Sequence, residues 1–248
     1  MELCSLSAEY TIIRNPVLMM FGVMYYLWFV GICFFMRDFF QFRFPYTKQV
    51  LLVHNVVSIV SNVYIFFGIL YEIYMREYRL YGNELDLSHT ALTHYLWVFH
   101  LTKYYEYMDT AIMVLRNSFR QITFLHVYHH ASVAIYTWLV LYNHPGGDFY
   151  LGPLMNAFVH MLMYTYYLLS GHMSKEARKK YLWWSVYLTQ IQIVQFLVNF
   201  SHSIYAIMYS PYHTSLYTYG LLHQISFIWL FGNFYLRKYN KQLDQKKN

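Results

Sequence analysis

Three histidines, His126, His129 and His130, stand at i, i+3 and i+4 in the run His126-Val-Tyr-His129-His130. On a helix that spacing sets all three imidazoles on one face. A lone buried histidine is most often a hydrogen-bonded core residue, but three on one face call for chemistry. Two roles fit them: ligation of a metal ion, or acid–base and nucleophilic work by imidazole. Other polar residues form stripes inside apolar surroundings. Lys103, Glu106 and Asp109, with Thr110 beside them, recur every three residues, so Lys103 and Glu106 are close enough to pair. That stripe suits either an ion-pair network pinning one helix to its neighbours or contact with a reacting group. Asn156, His160, Met163, Tyr164 and Tyr167 share another helical face. Its His160 can face the histidine box if the two helices are antiparallel neighbours. Thr189, Gln192 and Gln195 make a third stripe, with Gln190 about 100° away from it. Amides of this kind also hold membrane helices together. Asn55, Ser58 and Asn62 add a milder stripe, whereas His54, His94, His100 and His223 are scattered singly and read as core residues.

The elements that must position these side chains are apolar. Apolar residues make up 58% of the chain and charged residues only 12%, against about 25% charged in a soluble domain. Mean hydropathy is +0.25, and the missing charge falls in long stretches, which points to lipid as the solvent. Seven apolar runs lie at roughly 16–36, 50–74, 92–115, 122–143, 151–171, 181–203 and 213–236. Each is near the ~20 residues that span a bilayer. Irregular backbone cannot face hydrocarbon, so each run is expected to be a helix. The expectation is an all-α membrane protein: a single polytopic domain over residues 1–248 with seven transmembrane helices and a tail from 237 to 248.

Fourteen of the 18 lysines and arginines fall in alternate connections and the tail, among them Arg37, Arg43, Arg116, Arg120, Lys175, Arg178, Lys179, Lys180, Arg237 and Lys238. The opposite side holds only Arg14, Arg76 and Arg79. Positive residues mark the cytoplasmic face, so the N-terminus is expected in the lumen and the C-terminus in the cytosol. Basic residues confined to connections argue against a nucleic-acid partner despite the net charge of +6. The first 15 residues lack a basic segment leading into a short apolar stretch, so no cleaved signal peptide is expected. The tail ends Lys246-Lys247-Asn248, which serves either as a retrieval address or as solvated charge; Asn199-Phe-Ser201 is a formal glycosylation sequon. The two cysteines, Cys4 and Cys33, have no basic neighbours and suggest neither a zinc site nor a reactive thiolate.

Membrane di-iron desaturases and hydroxylases also carry an HxxHH box, together with further histidine pairs. Here the box stands without a second HxxH or HxxxH pair, so no metal is expected, and a di-iron fatty acyl desaturase or hydroxylase is the alternative reading. Taken together, the motifs resemble those of the very-long-chain fatty acid elongase (ELO) family. Lys103-Tyr-Tyr-Glu106-Tyr-Met-Asp109-Thr110 is similar to its KxxExxDT motif, and His126-Val-Tyr-His129-His130 to its HxxHH box. Asn156 to Tyr167 is similar to NxxxHxxMYxYY, Thr189 to Gln195 to TQxQxxQ, and Phe231-Gly-Asn233-Phe234-Tyr235 to the last-helix signature.

The resemblance implies the condensing enzyme of fatty-acid elongation in the endoplasmic reticulum. Such an enzyme joins an acyl-CoA to malonyl-CoA and yields 3-ketoacyl-CoA, carbon dioxide and CoA. It also implies seven membrane helices, six of them around a narrow acyl-chain tunnel. The substrates would be the only small molecules needed, without a cofactor. The partners implied are a ketoacyl reductase, a dehydratase and an enoyl reductase, with membrane lipid around the chain and a homodimer compatible with it. With no suitable cysteine, His129 is the expected acyl carrier and His160 its partner or the group that activates malonyl-CoA. His126, His130, Asn156 and Tyr164 would orient imidazoles and stabilise oxyanions. Lys103, held by Glu106 and Asp109 beside Thr110, would contact a carbonyl or carboxylate, with Gln190 and Gln192 at the substrate. CoA phosphates would meet Arg116, Arg120, Lys179, Lys180, Arg237 and Lys238, and the far end of the tunnel would limit acyl length.

Overall fold

The computed structural model describes residues 15–39, 44–85, 90–209 and 214–247, the last ten of these by backbone alone. Cys4, Arg14 and Arg43 lie outside the described residues, as do Asn248 and the side chains of Lys238, Lys241, Lys246 and Lys247. The described chain is all-helical: α1 (Pro16–Phe35), α2 (Thr47–Met75), α3 (Ala91–Tyr105), α4 (Tyr107–Leu115), α5 (Phe124–Asn143), α6 (Leu151–His172), α7 (Lys175–Tyr181), α8 (Ser185–Tyr209) and α9 (Thr214–Lys247). Single 3₁₀ turns at Phe119–Gln121 and Gly147–Tyr150 join α4 to α5 and α5 to α6.

Local chemistry explains several boundaries. Asn15 accepts a hydrogen bond from the Val17 amide, and Pro16 supplies a preset φ at the first turn of α1. Thr123 caps α5 by accepting from the His126 amide at 3.2 Å, so the box falls in the first two turns of that helix. The run 92–115, expected as one helix, is interrupted at Glu106. There the Asp109 amide bonds back to the Glu106 carbonyl, an i→i+3 step that tightens the turn. A short basic helix, α7, ends at Tyr181, where the next run was expected to begin, and the long helix α8 starts at Ser185.

Three helices, α1, α2 and α8, are long and apolar enough to cross a membrane among the described residues. The histidine box and the stripes of Lys103 and Asn156 lie on α5, α3–α4 and α6, outside those three helices. Apolar side chains face outward: Phe21 is 72% exposed, Trp28 62%, Val60 61% and Trp229 66%. Polar ones such as His54, Asn55, His100 and Lys103 are buried. This inverted pattern, with the apolar spans, makes the chain a membrane protein.

Packing closes a ring. Helix α2 lies along α6, α6 along α8, α8 along α9, α9 against α5, α5 against α3, and α3 back against α2. Helix α1 packs outside that ring on α5 and α4. In lipid, close packing and hydrogen bonds hold helices together rather than the hydrophobic effect. At the α2–α3 crossing Gly68 leaves room for the Tyr95 ring, and a Cβ there would collide with it. One cluster joins Ile65 and Ile69 of α2 to Leu92, Leu96 and Phe99 of α3 and to Ala157 of α6. Another seats Tyr26, Val30 and Cys33 of α1 on Val114, Phe119 and Ile122.

Candidate active site

Glu106 stands at the break between α3 and α4. Glu106 and Lys103 are each 2% exposed. Lys103 donates to Glu106 Oε1 at 2.7 Å and to Asn156 Oδ1 at 2.9 Å. His160 Nδ1 meets the same Glu106 oxygen at 3.1 Å. An ionised carboxylate only accepts, so Nδ1 carries the proton and Nε2 of His160 is left with its lone pair. One buried ion pair thus orients a histidine and an amide on α6.

Asp109 does the same one turn further on. His54 Nε2 reaches its Oδ1 at 2.8 Å, and Tyr164 donates to Oδ2 at 2.7 Å. Thr110 then links α1 to α5: its hydroxyl is 3.1 Å from Tyr26 Oη and 2.8 Å from His126 Nε2. Helices α1, α2, α5 and α6 are therefore all tied to the short α4.

The three box histidines part company. His126 turns to Thr110, with its ring centroid 4.4 Å from that of His130. His130 is buried among the rings of Tyr26, Tyr107, His126 and His129, and among the described residues its Nδ1 lacks a partner. His129 faces inward instead and lines a cavity at the centre of the ring of helices. Among the described residues no hydrogen bond to its nitrogens is found. Its ring lies 6.4 Å from that of His160 and 5.4 Å from that of Phe227. The cavity encloses about 860 Å³ of empty space, part of it open to the exterior. Asn156 lines it near His129, and Asp148, Phe149 and Tyr217 line its far end. There Asp148, fully buried, accepts from the amides of Gly82 and Asn83 and from the Asn83 side chain. It pins the segment after α2 across the end of the ring.

Of the residues singled out by spacing, the structure brings together Lys103, Glu106, Asp109, Thr110, His126, His129, His130, Asn156, His160 and Tyr164. Others stand apart. Gln190 is exposed and donates to Tyr235 Oη at 2.8 Å, and Gln192 points at Met163 Sδ, 3.9 Å away. Arg116, Arg120, Lys179, Lys180 and Arg237 are exposed, at the same end of the bundle as the start of α5 and the end of α6. His54, read from sequence as an isolated core histidine, belongs to the site through Asp109. Its spacing of four to Ser58 and eight to Asn62 was the available signal. Tyr26 carried none, being one of 29 tyrosines. The sequon asparagine, Asn199, is buried inside α8 and lines the cavity. Among the described residues no group of three or more His, Cys, Asp or Glu side chains converges so as to hold a metal ion.

The arrangement is one of imidazoles at an enclosed cavity of mixed polar and apolar lining, with a carboxylate fixing the proton position of one and a second left unbonded. That suits acyl transfer and proton transfer. Comparison with known proteins gives the family. A model of the ELO: GNS1/SUR4 family matches residues 11–247. The chain is 33% identical over 204 residues to very long chain fatty acid elongase 5 of Xenopus tropicalis, covering 81% of this chain and 68% of that protein. It is 34% identical over 206 residues to very long chain fatty acid elongase 2 of Mus musculus, covering 81% and 69% respectively. For very long chain fatty acid elongase 4 of Mus musculus the identity is 33% over 204 residues, covering 80% and 65%.

Proposed function

Since the chain belongs to the ELO (GNS1/SUR4) family, we propose that it is a condensing acyltransferase of fatty-acid elongation. It joins a long-chain acyl-CoA to malonyl-CoA and releases 3-ketoacyl-CoA, carbon dioxide and CoA. The observation that carries this reading is His129, a histidine that faces the cavity unbonded and opposite His160.

His129 attacks the thioester carbonyl, forming an acyl-imidazole and expelling the CoA thiolate, which takes up a proton. Malonyl-CoA then loses carbon dioxide, and the electron pair of the broken bond becomes an enolate. The enolate carbon attacks the acyl-imidazole carbonyl, forming the new carbon–carbon bond and returning His129 to its free state. His160 Nε2, its proton held on Nδ1 by Glu106, accepts or returns the proton that the thiol and imidazole exchange. Lys103 engages the Asn156 carbonyl oxygen, which frees the Asn156 NH₂ for the oxyanion formed at the attacked carbonyl. His130 packs against His129 and sets its ring plane, and His126 in turn packs against His130. Tyr164 and His54 hold Asp109, and Thr110 holds His126. The substrates themselves supply every atom and electron of this sequence, so no resident cofactor is needed.

The architecture that fits is one polytopic domain with seven membrane-crossing helices: the ring of six around an acyl tunnel, α3 and α4 together making one span, and α1 outside. The box end opens to the cytosol of the endoplasmic reticulum membrane, where Arg116, Arg120, Lys179, Lys180, Arg237 and Lys238 meet the CoA phosphates. Gln190 and Gln192 flank that mouth, with the N-terminus lumenal. A 3-ketoacyl product requires ketone reduction, dehydration and enoyl reduction before the next cycle, so the partners are the enzymes of those reactions. The test is release of carbon dioxide from malonyl-CoA by the purified protein, dependent on acyl-CoA and run without oxygen or reductant. Turnover under those conditions supports condensation; turnover only with oxygen and reductant refutes it.

A further inference from the structure

Beyond the box, the cavity wall is not that of a plain slot for hydrocarbon. Gln195, Asn199 and Ser203 recur every four residues along α8 and all line it, while His223 and Gln224 line it from α9. The amides are buried: Gln195 is 3% exposed, and Asn199 and Gln224 are 8% each. Among the described residues the three amide side chains make no hydrogen bond, and Asn199 Oδ1, Gln224 Oε1 and His223 Nδ1 are buried without a partner, whereas His223 Nε2 meets Ser132 Oγ at 3.0 Å and Ser203 donates to the Asn199 backbone carbonyl. Polar side chains inside a membrane usually bond across helices and hold them together. The three amides do not, although the neighbouring wall positions are filled by Phe196 and Phe227, whose rings lie 5.1 Å apart. An unpaired buried amide is costly unless something pairs with it. Asn199 and Gln224 lie three residues from Phe196 and Phe227, hence about 4.5 Å further along the helix axes from His129.

We propose that these amides receive a hydroxyl carried by the acyl chain, so that the preferred acyl donor is a hydroxylated long-chain acyl-CoA. This deepens the elongase reading and rests on it. A hydroxyl both donates and accepts, so it satisfies an amide whichever way its oxygen and nitrogen are turned. An unsubstituted chain leaves the same amides unpaired. Each net hydrogen bond gained corresponds to several-fold in affinity, and two give about tenfold or more.

The test is a competition on the full-length protein. Equal amounts of an unsubstituted acyl-CoA and its hydroxylated counterpart of the same length are offered with malonyl-CoA, the hydroxyl being moved along the chain. The expected result is a product ratio of about tenfold in favour of the hydroxylated chain at one position, falling toward unity in Asn199→Leu and Gln224→Leu. The ratio is internal to each sample, so partial loss of folded variant does not alter it. Equal or reversed preference at every position overturns the proposal and leaves water as the partner of the amides. If neither chain condenses, the reaction assigned above fails, and thermal stabilisation by the two chains as non-hydrolysable thioether analogues decides the matter separately. Greater stabilisation by the hydroxylated analogue supports the amide site; equal stabilisation overturns it.

Discussion

Replacing Lys103 with Met, Glu106 with Leu, and both together measures how strongly the buried pair depends on itself. Both side chains are 2% exposed and 2.7 Å apart, so neither charge has water to fall back on. In Lys103→Met the Glu106 carboxylate keeps only His160, and Asn156 Oδ1 loses its donor. In Glu106→Leu the ammonium keeps only Asn156, and His160 Nδ1 loses its acceptor. Stranding one partner of a buried pair costs about 3–5 kcal/mol. The double variant strands no charge and loses hydrogen bonds to Asn156 and His160, about 1 kcal/mol each. The double variant is therefore more stable than either single one, with a coupling above about 2 kcal/mol. Unfolding in detergent micelles reads the cycle. Costs that add within about 0.5 kcal/mol would mean the two charges do not depend on each other, and the reasoning would fail.

Three further outcomes are expected. Tyr164→Phe removes one of the two bonds holding Asp109; a bond to a charged group is worth about 1.5–3 kcal/mol, so kcat falls at least tenfold while the protein still folds. Unchanged turnover would show that Asp109 needs no anchoring. Asp148→Ala strands the amides of Gly82 and Asn83 and lowers stability by about 2–5 kcal/mol in thermal unfolding. Lys179→Ser with Lys180→Ser raises KM for CoA substrates several-fold at low salt, and the difference shrinks as ionic strength rises. A salt-independent effect would place the phosphates elsewhere.

Hydrophobic runs located the helices because lipid leaves little choice of backbone, and period-three and period-four spacing located the inward faces. The interruption at Glu106 was hidden because no proline or glycine marks it. Glu106, at the break, bonds His160, which lies 54 positions away and so leaves no local signal. Spacing also placed His126, His129 and His130 on one face without revealing that they divide. His126 is claimed by Thr110 and only His129 lines the cavity, a distinction that depends on which helix stands opposite each ring. His54 was misread as isolated because its partner Asp109 comes from a later helix. The stripe through Gln195 was legible as polar, but glue and lining look alike until the missing partners are visible.

The central claim is that His129 carries the acyl group, and a single-turnover experiment tests it most directly. The purified protein is mixed with labelled acyl-CoA in the absence of malonyl-CoA, quenched, digested and analysed by mass spectrometry. The expected result is label on the peptide containing His129, free CoA released in equal amount, and loss of both in His129→Ala. If no acyl-protein forms and no CoA is released while the complete mixture still turns over, the acyl group passes directly between the two CoA esters and the account given for His129 is wrong.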